Sequence, residues 1–179
     1  WGPDGRGPVD ACGCHTGTFI ATELAIRHPA LIRQLVLIGI PFYEGAERTE
    51  RHEKLGKVRP LPDSLATLEQ DWTFAIEKRA KGVSLERAFE NFIESAAAWQ
   101  NRSRIYGAVF QYPAEQRALL LEQPTLVLNP HGNLKEPTQA FAALIPNAEL
   151  VELPDLKYGI FDTAPDVLAA ESRAFLDRP

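Results

Sequence analysis

The sequence has no methionine, not even an initiator, and only two cysteines among its 179 residues. The missing initiator leads us to expect a fragment or a processed product. Cys12 and Cys14 stand one residue apart, a spacing too tight for an unstrained intrachain bridge, so free thiols are expected and nothing points to an oxidising compartment. Positive charge is not in excess: 19 Lys and Arg face 24 Asp and Glu, for a net charge of -5, and the basic residues are scattered along the chain. A protein that grips a phosphate backbone concentrates positive charge on one face, so nucleic acid is not an expected partner. No apolar run approaches the roughly 20 residues of a membrane span. The opening residues, Trp1 to Pro8, lack the basic end and apolar stretch of a leader. Membrane is therefore not an expected partner, and the expected setting is soluble and cytoplasmic. Repeats and low-complexity tracts are absent as well.

What the chain does contain is a composition suited to one well-packed domain, 45% hydrophobic and 24% charged, with room for a substantial core. Pro8-Val-Asp-Ala-Cys-Gly-Cys14 reads as a short strand. It runs straight into Thr16 to Arg27, where Phe19, Ile20, Leu24 and Ala25 recur at helical spacing. Pro29 disfavours a helical residue before it, which places the helix end near His28. Arg33 to Ile40 is an unbroken β-branched and leucine run, the pattern of a strand buried on both faces of a parallel sheet. A right-handed strand-helix-strand crossover follows.

Between Phe42 and Gln123 the pattern is helical for about 80 residues, longer than an ordinary connection between neighbouring strands. We expect a cap over 43–122, inserted into a core formed by 1–42 and 123–179. Its clearest helix is Ser84 to Trp99, with Ser84 as N-cap and Leu85, Ala88, Phe89, Phe92, Ile93 and Ala96 on one face. An earlier helix spans Ser64 to Lys81, and a later one runs from Ala114 to Leu121 after Pro113. Trp72, Trp99, Phe89 and Phe92 are expected in the cap interior. Sheet pattern returns at Pro124-Thr-Leu-Val-Leu128. A loop over Asn129 to Pro137, a helix over Thr138 to Leu144, a strand over Ala148 to Leu153 and a last helix over Pro165 to Leu176 complete the chain.

Gly13-Cys14-His15-Thr16-Gly17 has glycines two before and two after a central residue, as needed where a strand turns sharply into a helix and the flanking backbone comes close. On this motif the chain resembles the α/β-hydrolase superfamily, and the likeness continues along most of its length. Arg27-His-Pro-Ala-Leu-Ile-Arg-Gln-Leu-Val-Leu-Ile-Gly39 resembles that family's helix end and next strand. Pro124 to Leu128 resembles its acid-bearing strand, and Leu153-Pro-Asp-Leu-Lys-Tyr-Gly-Ile-Phe161 with Ala164-Pro-Asp-Val167 its histidine loop and final helix. The resemblance implies an α/β fold: a partial, doubly wound parallel sheet of the α/β-hydrolase type with a helical cap insertion.

The resemblance also assigns the catalytic positions, and all three are altered. His15 stands at the serine position, Asn133 (or its neighbour Gly132) at the acid position, and Tyr158 at the histidine position. Acyl transfer in this family requires a hydroxyl nucleophile, a base of near-neutral pKa and a carboxylate to hold the base's tautomer. Tyrosine titrates at about 10 in peptides and does not serve as that base near neutral pH. The expectation is a degenerate triad in a small-molecule-binding homologue, with a small apolar molecule as the partner. The alternative is a hydrolase of ester or related carbonyl substrates that uses His15 as nucleophile or base, since His-Thr-Gly elbows form a subgroup of the resemblance.

Thr16, Cys14 and His131 are candidate binding residues around the same pocket. Cys12, Cys14, His15 and His131 are all metal-ligand types. Strand alternation puts the two thiols on one face while His131 comes from a non-adjacent strand, so buried thiols are expected, and no metal or cofactor. Asp155, Asp162 and Asp166 read as turn formers and helix-start charges; His28 and His52 read as surface residues. The family's sheet extends beyond the elbow strand on the N-terminal side. An exposed strand edge there needs cover, from a homodimer or a separate N-terminal half.

Overall fold

The computed structural model describes residues 7–178. The opening residues Trp1 to Arg6, where no leader is expected, lie outside the described residues. Four strands form one parallel sheet: β1 (Val9–Cys14), β2 (Ile32–Ile38), β3 (Thr125–Pro130) and β4 (Ala148–Leu153), ordered as in the sequence. β2 and β3 occupy the centre and are buried almost throughout. This agrees with their continuous apolar sequence, because a strand covered on both faces has no polar side to alternate.

Helices cover both faces of the sheet. On one face α1 (Thr16–Arg27), α6 (Ala114–Ala118) and α7 (Lys135–Ala142) accompany a core that includes Phe19, Leu35, Leu37, Val127 and Phe141. On the other, Val36, Ile38, Leu126 and Leu128 pack with Leu168 and Phe175 of α9 (Pro165–Leu176), which follows the short α8 (Ile160–Thr163). Alternate residues of β2 and β3 therefore feed opposite cores. Between β2 and β3 lie α2 (Gly45–Leu55), α3 (Leu65–Trp72) with a π-helical turn over Thr73–Glu77, α4 (Leu85–Ala97) and α5 (Trp99–Gln111).

Several expected boundaries shift for identifiable reasons. β2 stops at Ile38 because Gly39 turns the chain with φ of +59°, and the Ile40 amide then donates to Thr138 Oγ1 at 2.8 Å. β3 continues through Asn129 and Pro130, expected as loop, pairing them with Glu152 and Leu153 of β4. α7 begins three residues before Thr138, because proline is tolerated in a first helical turn, where its missing N–H would have no partner. Ser84 does cap α4, accepting from the Arg87 amide at 3.1 Å. The face expected on α4 is less buried than its spacing implies: Ala88 is enclosed, but Leu85, Phe89 and Ile93 are about half exposed. Trp72, Phe89 and Phe92 form an edge-to-face cluster at the surface, whereas Trp99 alone is fully interior and donates from Nε1 to the Pro60 carbonyl at 2.6 Å. His52, expected at the surface, is half-buried at the end of α2, where the backbones of Gly56 and Gly107 come close.

The expectation of buried thiols fails. Cys12 is exposed and Cys14 half-buried, because β1 is an edge strand and the helix that covers its Cys14 face reaches only part of it. Among the described residues β1 pairs with β2 alone.

The join between α1 and the helical segment combines apolar packing, with Phe19 against the Tyr112 ring at 5.0 Å between centroids, with an ion-pair network. Glu23 of α1 accepts from Arg27 at 2.6 Å, from Arg117 of α6 at 2.9 and 3.1 Å, and from the Tyr112 hydroxyl at 2.9 Å. Burial opposes its ionisation, but these donors outweigh that effect and hold its pKa at about 2, against an ordinary 4.5. A carboxyl depressed in the folded state adds stability above the ordinary value, and this is lost as pH falls toward the folded one. Urea midpoints of wild type and Glu23→Gln should therefore differ at pH 7, with wild type more stable, and converge as pH drops from about 4.5 toward 2; a gap independent of pH would refute the assignment.

Candidate functional site

The site begins with the turn between β1 and α1. His15 has φ of +50°, and it is the one non-glycine residue with positive φ among the described residues. Such a conformation costs an L-residue on the order of 1–3 kcal/mol and persists only where its surroundings enforce it. Two contacts enforce it here. The His15 amide donates to the Ile38 carbonyl of β2 at 2.9 Å, and the His15 carbonyl accepts from the Thr18 amide at 3.0 Å and hydroxyl at 2.6 Å. Gly13 is required because a Cβ there would strike the Gly17 carbonyl group and lie 2.8 Å from Thr18 Cα. The turn lifts the imidazole to the C-terminal edge of the sheet, where open α/β sheets place their ligands.

A cavity of about 360 Å³ opens there, lined by His15, Cys14, Asn133 and Tyr158 together with Leu134 and Ile160. His15, Asn133 and Tyr158, the residues expected at the triad positions, thus line one cavity. Asn133 comes from the loop after β3 and Tyr158 from the loop after β4. Gly132 lets these loops touch: a Cβ there would fall 2.7 Å from the Lys157 carbonyl oxygen and 3.3 Å from the Tyr158 ring. Among the described residues no hydrogen bond joins His15 to Asn133 or to Tyr158. The imidazole instead has Nδ1 3.2 Å from Thr16 Oγ1 and its ring edge-on to Tyr106 at 6.1 Å between centroids.

Two candidate binding residues lie elsewhere. Thr16 lines an apolar groove between α1 and α5, beside Ile20, Leu24 and Ile105. His131 turns toward β4, where Nε2 meets Glu152 Oε2 at 2.6 Å. It is drawn there because parallel pairing of β3 with β4 sets Glu152 beside the end of β3. The Glu152 carboxylate also accepts from Asn129 Nδ2 at 2.9 Å and Gln139 Nε2 at 2.7 Å. Burial resists its ionisation, yet these donors shift its pKa below the ordinary value.

Other lining residues escaped the sequence reading. Arg87 and Asn91 reach the cavity from α4, and Asp162, expected only as a helix-start charge, forms its far wall while accepting from Arg87 Nε at 3.1 Å. Nothing in the local spacing of α4 marks Arg87 or Asn91, since a polar residue on an amphipathic helix normally faces water. Burial in apolar surroundings and the nearby Cys12 push the Cys14 thiol up to about 11, which leaves it protonated and a poor nucleophile at neutral pH. Burial lowers the His15 pKa below its ordinary 6.5, so the ring is neutral at pH 7. Among the described residues no group of three or more His, Cys, Asp or Glu side chains is arranged to hold a metal ion. No described helix is long and apolar enough to cross a membrane.

Parallel strands, a strained turn lifting one side chain above the sheet, and loops after β3 and β4 converging on it define the α/β-hydrolase fold, and the chain has that fold. Solved structures agree. A hydrolase from Pseudomonas aeruginosa superposes with a TM-score of 0.68 over 96% of this chain and 65% of its own, at 22% identity. The α/β hydrolase MGS-M2 from a Medee basin deep-sea metagenome library gives 0.69 over 98% and 67%, at 14% identity. MenH from S. aureus gives 0.68 over 95% and 68%, at 18% identity. The chain spans about two thirds of the length of these structures. No protein-family model matches the sequence, and no curated protein sequence matches it significantly.

The protonation state of His15 is directly measurable. In an NMR titration the ring proton on Cε1 of His15, assigned by its loss in His15→Ala, should move with a midpoint below 6.5; a midpoint at or above that value would mean that the ring is not held by burial.

Proposed function

We propose that this protein is a small-molecule-binding member of the hydrolase fold in which serine-type acyl transfer has been lost. One observation carries the reading: His15, Asn133 and Tyr158 line a single cavity without hydrogen bonds to one another. A triad works because nucleophile, base and orienting acid act as a unit, and each loses most of its effect without the others. Asn133 carries no charge with which to stabilise an imidazolium, and Tyr158 is more than half exposed. What remains is a concave pocket under the helical segment between β2 and β3, our proposed cap over 43–122. Its walls are mostly apolar with a few polar groups, the usual make-up of a small-ligand site.

A second reading, hydrolysis of an ester or related carbonyl by His15, is favoured by the strained φ and by the neutral ring, which is competent as a base or nucleophile. Short p-nitrophenyl esters separate the two. Under our reading wild type and His15→Ala hydrolyse them at equal, slow rates. A loss of about 100-fold or more in His15→Ala, the scale of a missing general base, establishes the enzyme instead. A serine-directed fluorophosphonate should leave the protein unlabelled in either case.

The proposal also includes cover of the β1 edge, which among the described residues pairs with β2 alone, by a second copy of this chain, on the grounds that unpaired strand edges invite pairing and that Val9 and Cys12 are exposed there. Light scattering should show a dimer of this chain; a monodisperse monomer would eliminate the homodimer.

A further inference from the structure

Charge is unevenly distributed over this protein. The chain carries a net charge of -5, yet the first cavity and a second that adjoins it are lined by four cations and a single carboxylate. Arg87 and Lys157 line the first, Lys78 and Arg79 line the second, and Asp162 lines both. Two of the cations are engaged. Arg87 is paired with Asp162 and with Glu90, each at 3.1 Å, which offsets the one carboxylate of the site. Arg79 donates to the Ile76 and Val83 carbonyls at 2.8 and 3.2 Å. Lys157 and Lys78 have no ion pair among the described residues. A concave site with apolar walls concentrates the field of such a charge and draws anions to it.

Lys157 is the better placed of the two. Lys78 also borders a separate surface hollow, next to Glu69, whereas Lys157 belongs to the loop after β4, which is fixed on both sides. The His131 amide donates to the Leu156 carbonyl at 2.8 Å, and a Cβ on Gly132 would stand 2.7 Å from the Lys157 carbonyl oxygen. On the far side Gly159, with φ of +61°, lies so near α4 and the loop before it that a Cβ would stand 3.2 Å from Val83 Cγ2. The backbone of Lys157 is thus held beside the loop that carries Asn133, while its long side chain keeps the freedom to meet a ligand. Asn133 and Asn91 line the same cavity, and their carboxamides make no hydrogen bond among the described residues.

We propose that the first cavity is a site for a small organic carboxylate, its charge met by Lys157, its oxygens by the amides of Asn133 and Asn91, and its apolar part by Leu134, Ile160 and Phe161. This rests on the reading of that cavity as a small-molecule site and adds the class of ligand. It also narrows the small apolar molecule expected from the sequence to an amphipathic anion. One free ammonium among neutral donors matches one negative charge. A phosphate, with more charge and more acceptor oxygens, calls for several cations or a forked guanidinium, and the guanidinium of this cavity is already spent on Asp162 and Glu90.

Benzoate and benzamide test this, since they share a shape and differ by one charge. Each is titrated at pH 7 and low salt, with the Cε1 proton of His15 as the NMR reporter that places binding in the first cavity. Wild type should bind benzoate roughly fivefold more tightly than benzamide, the scale of a solvent-accessible ion pair, and the ratio should shrink at high salt. That ratio, taken within each variant, should vanish in Lys157→Gln, return in Lys157→Arg and stay unchanged in Lys78→Gln. Benzamide bound as tightly as benzoate by wild type overturns the carboxylate inference and leaves the small-molecule reading standing. A benzoate preference that persists in Lys157→Gln overturns it too, and its loss in Lys78→Gln would then place the anion in the second cavity. If neither compound moves the His15 signal, both readings fall together.

Discussion

Everything at the site depends on how closely β1 and α1 approach at their junction. The backbone of Gly13 lies against the carbonyl of Gly17, and only a residue without Cβ fits there. With that contact made, the chain can reverse within one residue only if the residue between adopts positive φ. The hydrogen bond from the His15 amide to the Ile38 carbonyl then ties the reversal to the adjacent strand. Position 15 is consequently held above the sheet whatever side chain occupies it. The geometry of the elbow is set by the backbone and not by the side chain at position 15, which separates what the backbone enforces from what the side chain performs.

The opposite wall is held by a different device. The loop carrying Asn133 is fastened at both ends through a single side chain of β3: Asn129 Nδ2 reaches Glu152 Oε2 at 2.9 Å and the Lys135 carbonyl at 3.3 Å. His131 and Gln139 complete the shell around Glu152. Three donors converging on one ionised carboxylate make stronger bonds than neutral pairs would, and they fix the loop together with Leu134, which packs against the core. His131 therefore shapes the pocket from outside it. An imidazole two residues from a candidate site residue invites assignment as a ligand, and the parallel register of β4 decides otherwise.

This difference explains how much the sequence disclosed. The elbow was legible because its requirement is local, two glycines at fixed offsets and a helical period after them. β2 and β3 were legible because a strand buried on both faces is filled mainly with apolar residues, so its centre reads as an unbroken apolar run. Asn133 and Tyr158 could be placed by resemblance, since each sits at a fixed distance from a recognisable strand or loop. Arg87, Asn91 and Asp162 could not. Their part in the cavity depends on how α4 lies over the sheet, and the ion pair from Arg87 to Asp162 joins residues 75 positions apart. The aromatic residues of α4 misled for the same reason. Helical spacing shows that Phe89 and Phe92 share a face, but the other helices decide whether anything covers that face, and here Trp72 covers it only in part.

The two kinds of information also bear differently on chemistry. A neutral His15 in a half-buried, strained turn is chemically competent, yet competence of one group is not catalysis. The imidazolium formed in any proton transfer would need a compensating charge, and the cavity's carboxylate, Asp162, is already engaged by Arg87. The residues that could supply charge are spent on holding the helical segment to the sheet domain, as Glu23 is with Arg117 on the other side of α1. Charge in this protein mainly fastens elements together; Lys157, which lines the cavity with no ion-pair partner among the described residues, adds positive charge that disfavours an imidazolium there.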